Sequence, residues 1–134
     1  MKKSEAQPGY AGGCLCGQVR FDVAGPLGDV SACHCHMCRK WTGHYFADTE
    51  VPVSQLSFSA DESLKWYQSS EKVRRGFCGN CGSVLFFDPL FHDWIAITMG
   101  SFDEPTGAKL ALHIHTADKG DYYNIADGLP QNEQ

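Results

Sequence analysis

Nowhere in these 134 residues do apolar side chains run on for the roughly 18 positions that a membrane-crossing helix needs. The start, Met1-Lys2-Lys3-Ser4-Glu5-Ala6-Gln7-Pro8-Gly9, has two lysines with no apolar stretch behind them, so it does not read as a secretory leader. Positive charge is scarce as well. Eleven Lys plus Arg stand against 16 Asp plus Glu, a formal net charge of -5, which argues against a general electrostatic hold on nucleic acid or anionic lipid. Internal repeats and low-complexity tracts are missing too. The expectation is a soluble, cytoplasmic protein with no membrane partner and no general hold on nucleic acid, local basic patches aside. Its length suits one domain over residues 1–134, with a core from about 10 to 127 and loose polar ends over the first ten or so and last seven or so residues.

An even cysteine count is also lacking. Seven cysteines without a leader disfavour a disulfide framework, because a reducing cytosol keeps thiols free and one of seven would be left over. Pairing within a C-x-C would in addition close a small strained ring. Metal ligation is the better use of three tight clusters: Cys14-Leu15-Cys16, Cys33-His34-Cys35-His36-Met37-Cys38 and Cys78-Gly79-Asn80-Cys81.

Long helical patterns are nearly absent. Residues 18–23 alternate polar and apolar and stop at Gly25-Pro26, which reads as a half-buried strand ending in a turn. Runs at 56–59, 64–67, 83–87, 94–99 and 110–115 are equally short and rich in β-branched or aromatic residues. Together they predict a mainly β fold of antiparallel sheets with little helix. The exception is a turn or two around residues 35–41, where Cys35, Cys38 and Arg39 would share a face.

A tetrahedral zinc takes four ligands, its thiolates usually presented by tight turns whose N–H groups point at sulfur. Gly17, Gly79 and Gly82 each follow a cysteine, and Gly12-Gly13 precede Cys14. Cys14, Cys16, Cys78 and Cys81 therefore form a self-consistent structural set of four thiolates. Pairing Cys78 and Cys81 with the middle cluster instead is the competing arrangement. Closure of the roughly 60-residue loop would make metal binding a folding term, on the order of 10–16 kcal/mol.

Cys33, Cys35 and Cys38 can surround one metal with a coordination position left over, which is the catalytic pattern. Alternatively, His34, His36 or His44 fills that place and the metal pins a loop; the residues alone leave both readings open. An open three-thiolate zinc has a formal charge of about -1, a weak generator of hydroxide but able to deprotonate an entering thiol. Such a centre suits making or breaking carbon–sulfur bonds. Arg39, Lys40, Trp41 and Thr42 could hold a thiol-bearing ligand beside it or lie on the surface.

Three segments, 12–21, 33–40 and 77–83, together with His113-Ile114-His115 and Gly128-Leu129-Pro130, resemble the glutathione-dependent formaldehyde-activating enzymes and the related centromere protein V domain. The resemblance implies an Mss4-like, all-β zinc fold. It implies that Cys14, Cys16, Cys78 and Cys81 hold a structural zinc and that Cys33, Cys35 and Cys38 hold a second, catalytic one. Two zincs per chain are then expected, the second not necessarily filled. The implied activity is that of a carbon–sulfur lyase joining glutathione and formaldehyde, or cleaving such a thiol–carbonyl adduct. The rival is a non-enzymatic zinc module, both metals structural, that binds protein or nucleic acid.

Three other groups have plainer readings. His113 and His115 alternate along a predicted strand and so face one side, as packing or surface residues or, alternatively, as a metal pair or part of a pocket lining. Lys72, Arg74 and Arg75 read as a solvated strand face, with a nucleic-acid patch as the alternative. Tyr122 and Tyr123 read as core aromatics.

Overall fold

The computed structural model describes residues 9–134, so the expectations for the first eight residues fall outside the described part of the chain. Ten short strands and one helix make up the described fold. The strands are β1 (Tyr10–Gly13), β2 (Arg20–Val23), β3 (Val30–Cys33), β4 (Phe46–Pro52), β5 (Leu56–Ala60), β6 (Leu64–Gln68), β7 (Val73–Cys78), β8 (Val84–Pro89), β9 (Trp94–Thr98) and β10 (Leu110–Ile114). Helix α1 (His36–Thr42) lies between β3 and β4. The mainly β expectation holds, and strands occur at all six predicted runs. Three strands, β1, β3 and β4, are additional, and β7 falls where Arg74 and Arg75 read as a strand face.

β10-β3-β4-β9-β8-β7-β6 form one sheet and β1-β2-β5 a second. The pairings are antiparallel apart from β10 with β3, which is parallel. The large sheet thus adds one parallel pairing to the antiparallel sheets expected. The reason is one of direction: β9 and β10 run the same way, so the chain between them must return to the end where β9 began before β10 can join the β3 edge.

Strand alternation divides the buried residues between two cores. Thr49 and Val51 of β4 point to one face, and Phe46, Asp48 and Glu50 to the other. On the first face, Val51, Leu85, Ile95 and Ile97 pack with Val19, Phe21 and Val23, and Phe21 meets Phe86 edge-on at 5.4 Å between centroids. Each fully buried side chain of this kind contributes roughly 1.5–3 kcal/mol relative to exposure. On the second face Cys33, Cys38, Phe46 and Ala96 gather with Trp41, Phe87, Trp94 and Ile114.

α1 has only seven residues, too short to persist by itself. Cys35 caps its start, its sulfur accepting from the Cys38 N–H, and Gly43 ends it in the left-handed region at φ 89°. Trp41 holds it to the sheet by packing on Phe46, with centroids 5.4 Å apart. The C-terminal residues, expected to be loose, are instead tied down. His113 N–H donates to the Pro130 carbonyl at 2.9 Å, and Asn132 N–H returns to the His113 carbonyl at 2.9 Å. β10 is an edge strand whose outer backbone groups need partners, and the tail supplies them. Among the described residues no helix is long and apolar enough to cross a membrane.

Candidate metal centre

The cysteines assemble into two sets, Cys14 with Cys16, Cys78 and Cys81, and Cys33 with Cys35 and Cys38; within each set the sulfurs lie within 4.8 Å of one another. All seven are free thiols. The pairing of Cys78 and Cys81 with Cys14 and Cys16 is the one the fold makes, because the turn between β1 and β2 abuts the knuckle between β7 and β8.

In the four-sulfur set Cys14 and Cys16 are 3.6 Å apart and Cys16 and Cys78 are 3.8 Å apart. A tetrahedron with metal–sulfur bonds of about 2.3 Å has edges of about 3.8 Å, so the donors fit a zinc-sized ion. Backbone N–H groups converge on the sulfurs, Val19 on Cys14 at 3.2 Å, and Asn80 and Cys81 on Cys78 at 3.3 and 3.4 Å. Asn80 adds its side-chain amide to Cys16 at 3.3 Å. Both loops are shaped by glycine at positive φ, Gly17 at 86° and Gly82 at 81°. The Ser83 hydroxyl and N–H draw the Cys81 thiol down to about 5.

The three-sulfur set is built from the end of β3 and the first turns of α1. Its thiols are strongly coupled: contact with Cys33 and Cys38 drives Cys35 far down, while contact with Cys35 and Cys38 drives Cys33 far up. Three sulfurs this close cannot all be thiolates without a cation between them, so this donor set also fits a soft divalent metal. Among the described residues no fourth His, Asp or Glu joins the cluster.

The three histidines nearest in sequence are engaged elsewhere. His44 Nδ1 pairs with the Tyr122 hydroxyl at 2.7 Å, and exposed His36 faces the Arg39 guanidinium. His34 is buried and points away from the sulfurs, as strand alternation requires. It joins a chain in which Tyr123 hydroxyl meets His34 Nδ1, His34 Nε2 meets His113 Nδ1 at 2.9 Å, and His113 Nε2 meets Asp127 at 2.8 Å. One tautomer satisfies every link. His113 donates from Nε2 to the carboxylate, His34 donates from Nε2 to His113, and the tyrosine donates to His34. Burial, then His113, pushes His34 down to about 4, which keeps it neutral.

His113 and His115, expected on one side, lie on opposite ones. His115 takes the left-handed conformation at φ 55°, ψ 39°, which ends the alternation and turns it toward the sulfurs. Arg75 corrects a second expectation. It is 4% exposed, its guanidinium lying over the Trp41 ring at 4.9 Å and near the Phe87 ring at 5.2 Å, with Nη1 3.6 Å from the Cys38 sulfur. Aromatic faces and a partial thiolate compensate a buried guanidinium here, where a solvated strand face was expected. Arg74 stays nearer solvent over Trp66, paired with Asp88 at 2.8 Å. Tyr122 is 59% exposed, so the core reading fails for it.

A cavity of about 220 Å³ opens beside the three sulfurs. Phe46, Phe87, Trp94, Ala96 and Ile114 form its apolar walls, and Ser31, Asp48, Glu50 and His115 its polar parts. Asp48 is 6% exposed; burial, then neighbouring Glu50, lifts its carboxyl to about 7. Asp48 and Glu50 were not singled out in the sequence. Their signal is the alternation Phe46-x-Asp48-x-Glu50, acidic where a buried face would be apolar.

A family model described as glutathione-dependent formaldehyde-activating enzyme matches residues 9–118, a span that includes all seven cysteines. The chain belongs to this family. An uncharacterized lyase of Schizosaccharomyces pombe is 36% identical over 83 residues, covering 60% of this chain and 58% of that protein. The chain thus spans under two thirds of that relative. A crystal structure of a Rhodobacter sphaeroides protein superposes with TM-score 0.59 at 20% identity, over 90% of this chain and 98% of the other, a likeness of fold. Within the formaldehyde-activating family, this chain has two cysteine clusters able to hold metal ions.

Proposed function

We propose that the protein is a zinc-dependent carbon–sulfur lyase of the cytoplasm, forming or cleaving a small thiol–carbonyl adduct at Cys33, Cys35 and Cys38. Cys14, Cys16, Cys78 and Cys81 hold a structural zinc. The observation that carries this reading is the three-sulfur cluster at a cavity wall, with His34, His36 and His44 each facing another partner. A purely structural second site would be expected to recruit one of them. Family membership and the lyase named among its relatives support the same class of reaction.

In the cleavage direction the carbon–sulfur bond of R–S–CH2–OH breaks, the hydroxyl proton leaves oxygen, and the products are R–SH and formaldehyde. Zinc bound by the three sulfurs would supply Lewis acidity, lowering the pKa of the thiol and holding it at the cavity wall. The chain's own groups condition that position. Arg75 donates toward Cys38 at 3.6 Å, and the Cys38 N–H donates to Cys35 at 3.3 Å, spreading thiolate charge. Phe46, Phe87 and Trp94 keep water away from the adduct, so the carbonyl product is less readily hydrated.

Elemental analysis and a formaldehyde–thiol exchange assay test the reading together. Two zincs per chain are expected in gently purified protein, falling to one in Cys35→Ser with turnover abolished and the circular dichroism kept. Full activity in that variant rejects the enzymatic assignment in favour of a binding module, and one zinc in both proteins, with no turnover after added zinc, does the same.

A further inference from the structure

The walls of the cavity carry a charge pattern that the thiolate centre does not require. Asp48 sits on β4 with 6% exposure, and among the described residues its carboxyl opens onto the cavity with no side chain paired to it. Unpartnered buried carboxylates are costly, and folded proteins normally supply a donor or a cation. Glu50, two residues on, lies on the same face and lines the same cavity, so the two carboxyls bias it in one direction. Arg75 is not available to offset them, because its guanidinium is committed to the far side of Cys38 and to the Trp41 and Phe87 rings. Of the other wall residues, only His115 can carry positive charge.

Most of the remaining wall is aromatic, with Ala96 and Ile114 beside it. Phe87 and Trp94 lie nearly parallel, their planes 14° apart and centroids 6.3 Å apart, and Phe46 completes the surround. Carboxylates combined with aromatic faces are the chemistry that recognises an alkylammonium group. An anionic ligand would meet two carboxyls and electron-rich rings.

Resting on the lyase reading above, we propose that the adduct is that of a compact aminothiol, its ammonium group held by Asp48 with Glu50 while its sulfur lies at the three cysteines. Strand register supports the spacing. Ser31 pairs with Asp48 and Cys33 with Phe46, so Asp48 is the diagonal neighbour of Cys33, roughly 7–8 Å away along the sheet. Both ends of one small molecule can be engaged across that gap. The volume agrees, since about 220 Å³ is less than the roughly 300–1,000 Å³ of pockets for drug-sized ligands. A cation would also offset the burial and the neighbouring Glu50 charge that lift the Asp48 carboxyl to about 7.

The test compares three matched thiols on zinc-loaded protein at about pH 8, where Asp48 is ionised: 2-aminoethanethiol, 2-mercaptoethanol and 3-mercaptopropionate, with glutathione alongside. Binding is read by calorimetry and turnover by magnetisation exchange with formaldehyde. The expected result is that the aminothiol binds at least about tenfold more tightly than the mercaptoacid. In Asp48→Asn that ratio should fall below about threefold. A smaller preference in the native protein, no binding of either thiol, or an unchanged ratio in a folded Asp48→Asn overturns the proposal. If that variant does not fold, Glu50→Gln must lower the ratio at least about twofold, and an unchanged ratio counts against the proposal in the same way. An equal loss of turnover for all thiols at constant ratio would make Asp48 an acid–base group, which also rejects the ammonium role. A cation preference dependent on Asp48 without any turnover leaves the substrate class standing and removes the lyase reading.

Discussion

Asp48 has consequences for stability as well as for ligand choice. Its carboxyl titrates at about 7 in the folded chain against an ordinary value of 3.8, lifted by burial and then by Glu50. The folded state therefore binds this proton more tightly than the unfolded one. What Asp48 contributes is complete below about pH 4, declines as pH rises, and is gone above about pH 7. Asp48→Asn removes the dependence. Denaturant unfolding at about pH 5.5 and 8 should show the native protein losing on the order of 2 kcal/mol more than the variant between the two conditions. Parallel slopes for the two proteins would show that the carboxyl is not perturbed. Arg75 makes the complementary point about legibility. Val73-Arg74-Arg75-Gly76 reads as a polar strand because charge is the only feature visible in one dimension, whereas Trp41 and Cys38, which make its burial tolerable, come from an element more than 30 residues away.

Among the elements, α1 does two things with one residue. Cys35 is both a member of the three-sulfur cluster and the cap of the helix that carries Cys38. The two roles separate by substitution. Cys35→Ser keeps an acceptor for the Cys38 N–H, and Cys35→Ala does not, so both should lose the second metal while only the alanine variant loses a further ~1 kcal/mol. Equal melting temperatures for the two variants would remove the capping role. The short helix was legible because Cys35, Cys38 and Arg39 fall at the spacing of one helical face. β3 and β4 were less so, although they flank the cluster. β3 is four residues merging into the cysteine motif, and β4 places acidic residues where a two-sided buried strand ordinarily carries apolar ones. β1 carries little pattern for another reason: Gly12 has no side chain, and a Cβ there would come within 2.5 Å of the Ser101 carbonyl oxygen. The direction of β10 was not readable at all, since parallel pairing depends on where the preceding connection leaves the chain.

For the molecule as a whole, the four-sulfur cluster joins the hairpin of the small sheet to a knuckle of the large one, two segments more than 60 residues apart. Cys14 and Cys78 are buried in the core between the sheets, whereas Cys33 and Cys38 belong to the core on the other face. Loss of one ligand from the four-sulfur set should therefore be felt by both sheets. Cys81→Ser is expected to give insoluble or unfolded protein, judged by solubility and near-ultraviolet circular dichroism, and a normal cooperative melt would refute that assignment. The cysteine motifs made this division legible because ligand spacing is a local property, while the cavity that gives the second cluster its surroundings is assembled from five strands and was not.

Separate cores for the two clusters also bear on how the protein comes of age in a cell. On the proposed assignment the chain would acquire its shape by filling the four-thiolate position and its competence by filling the three-thiolate one, which has fewer donors and would give up its ion first. When metal is short, copies would persist as a folded reserve, and a later rise in supply would switch them on without new synthesis.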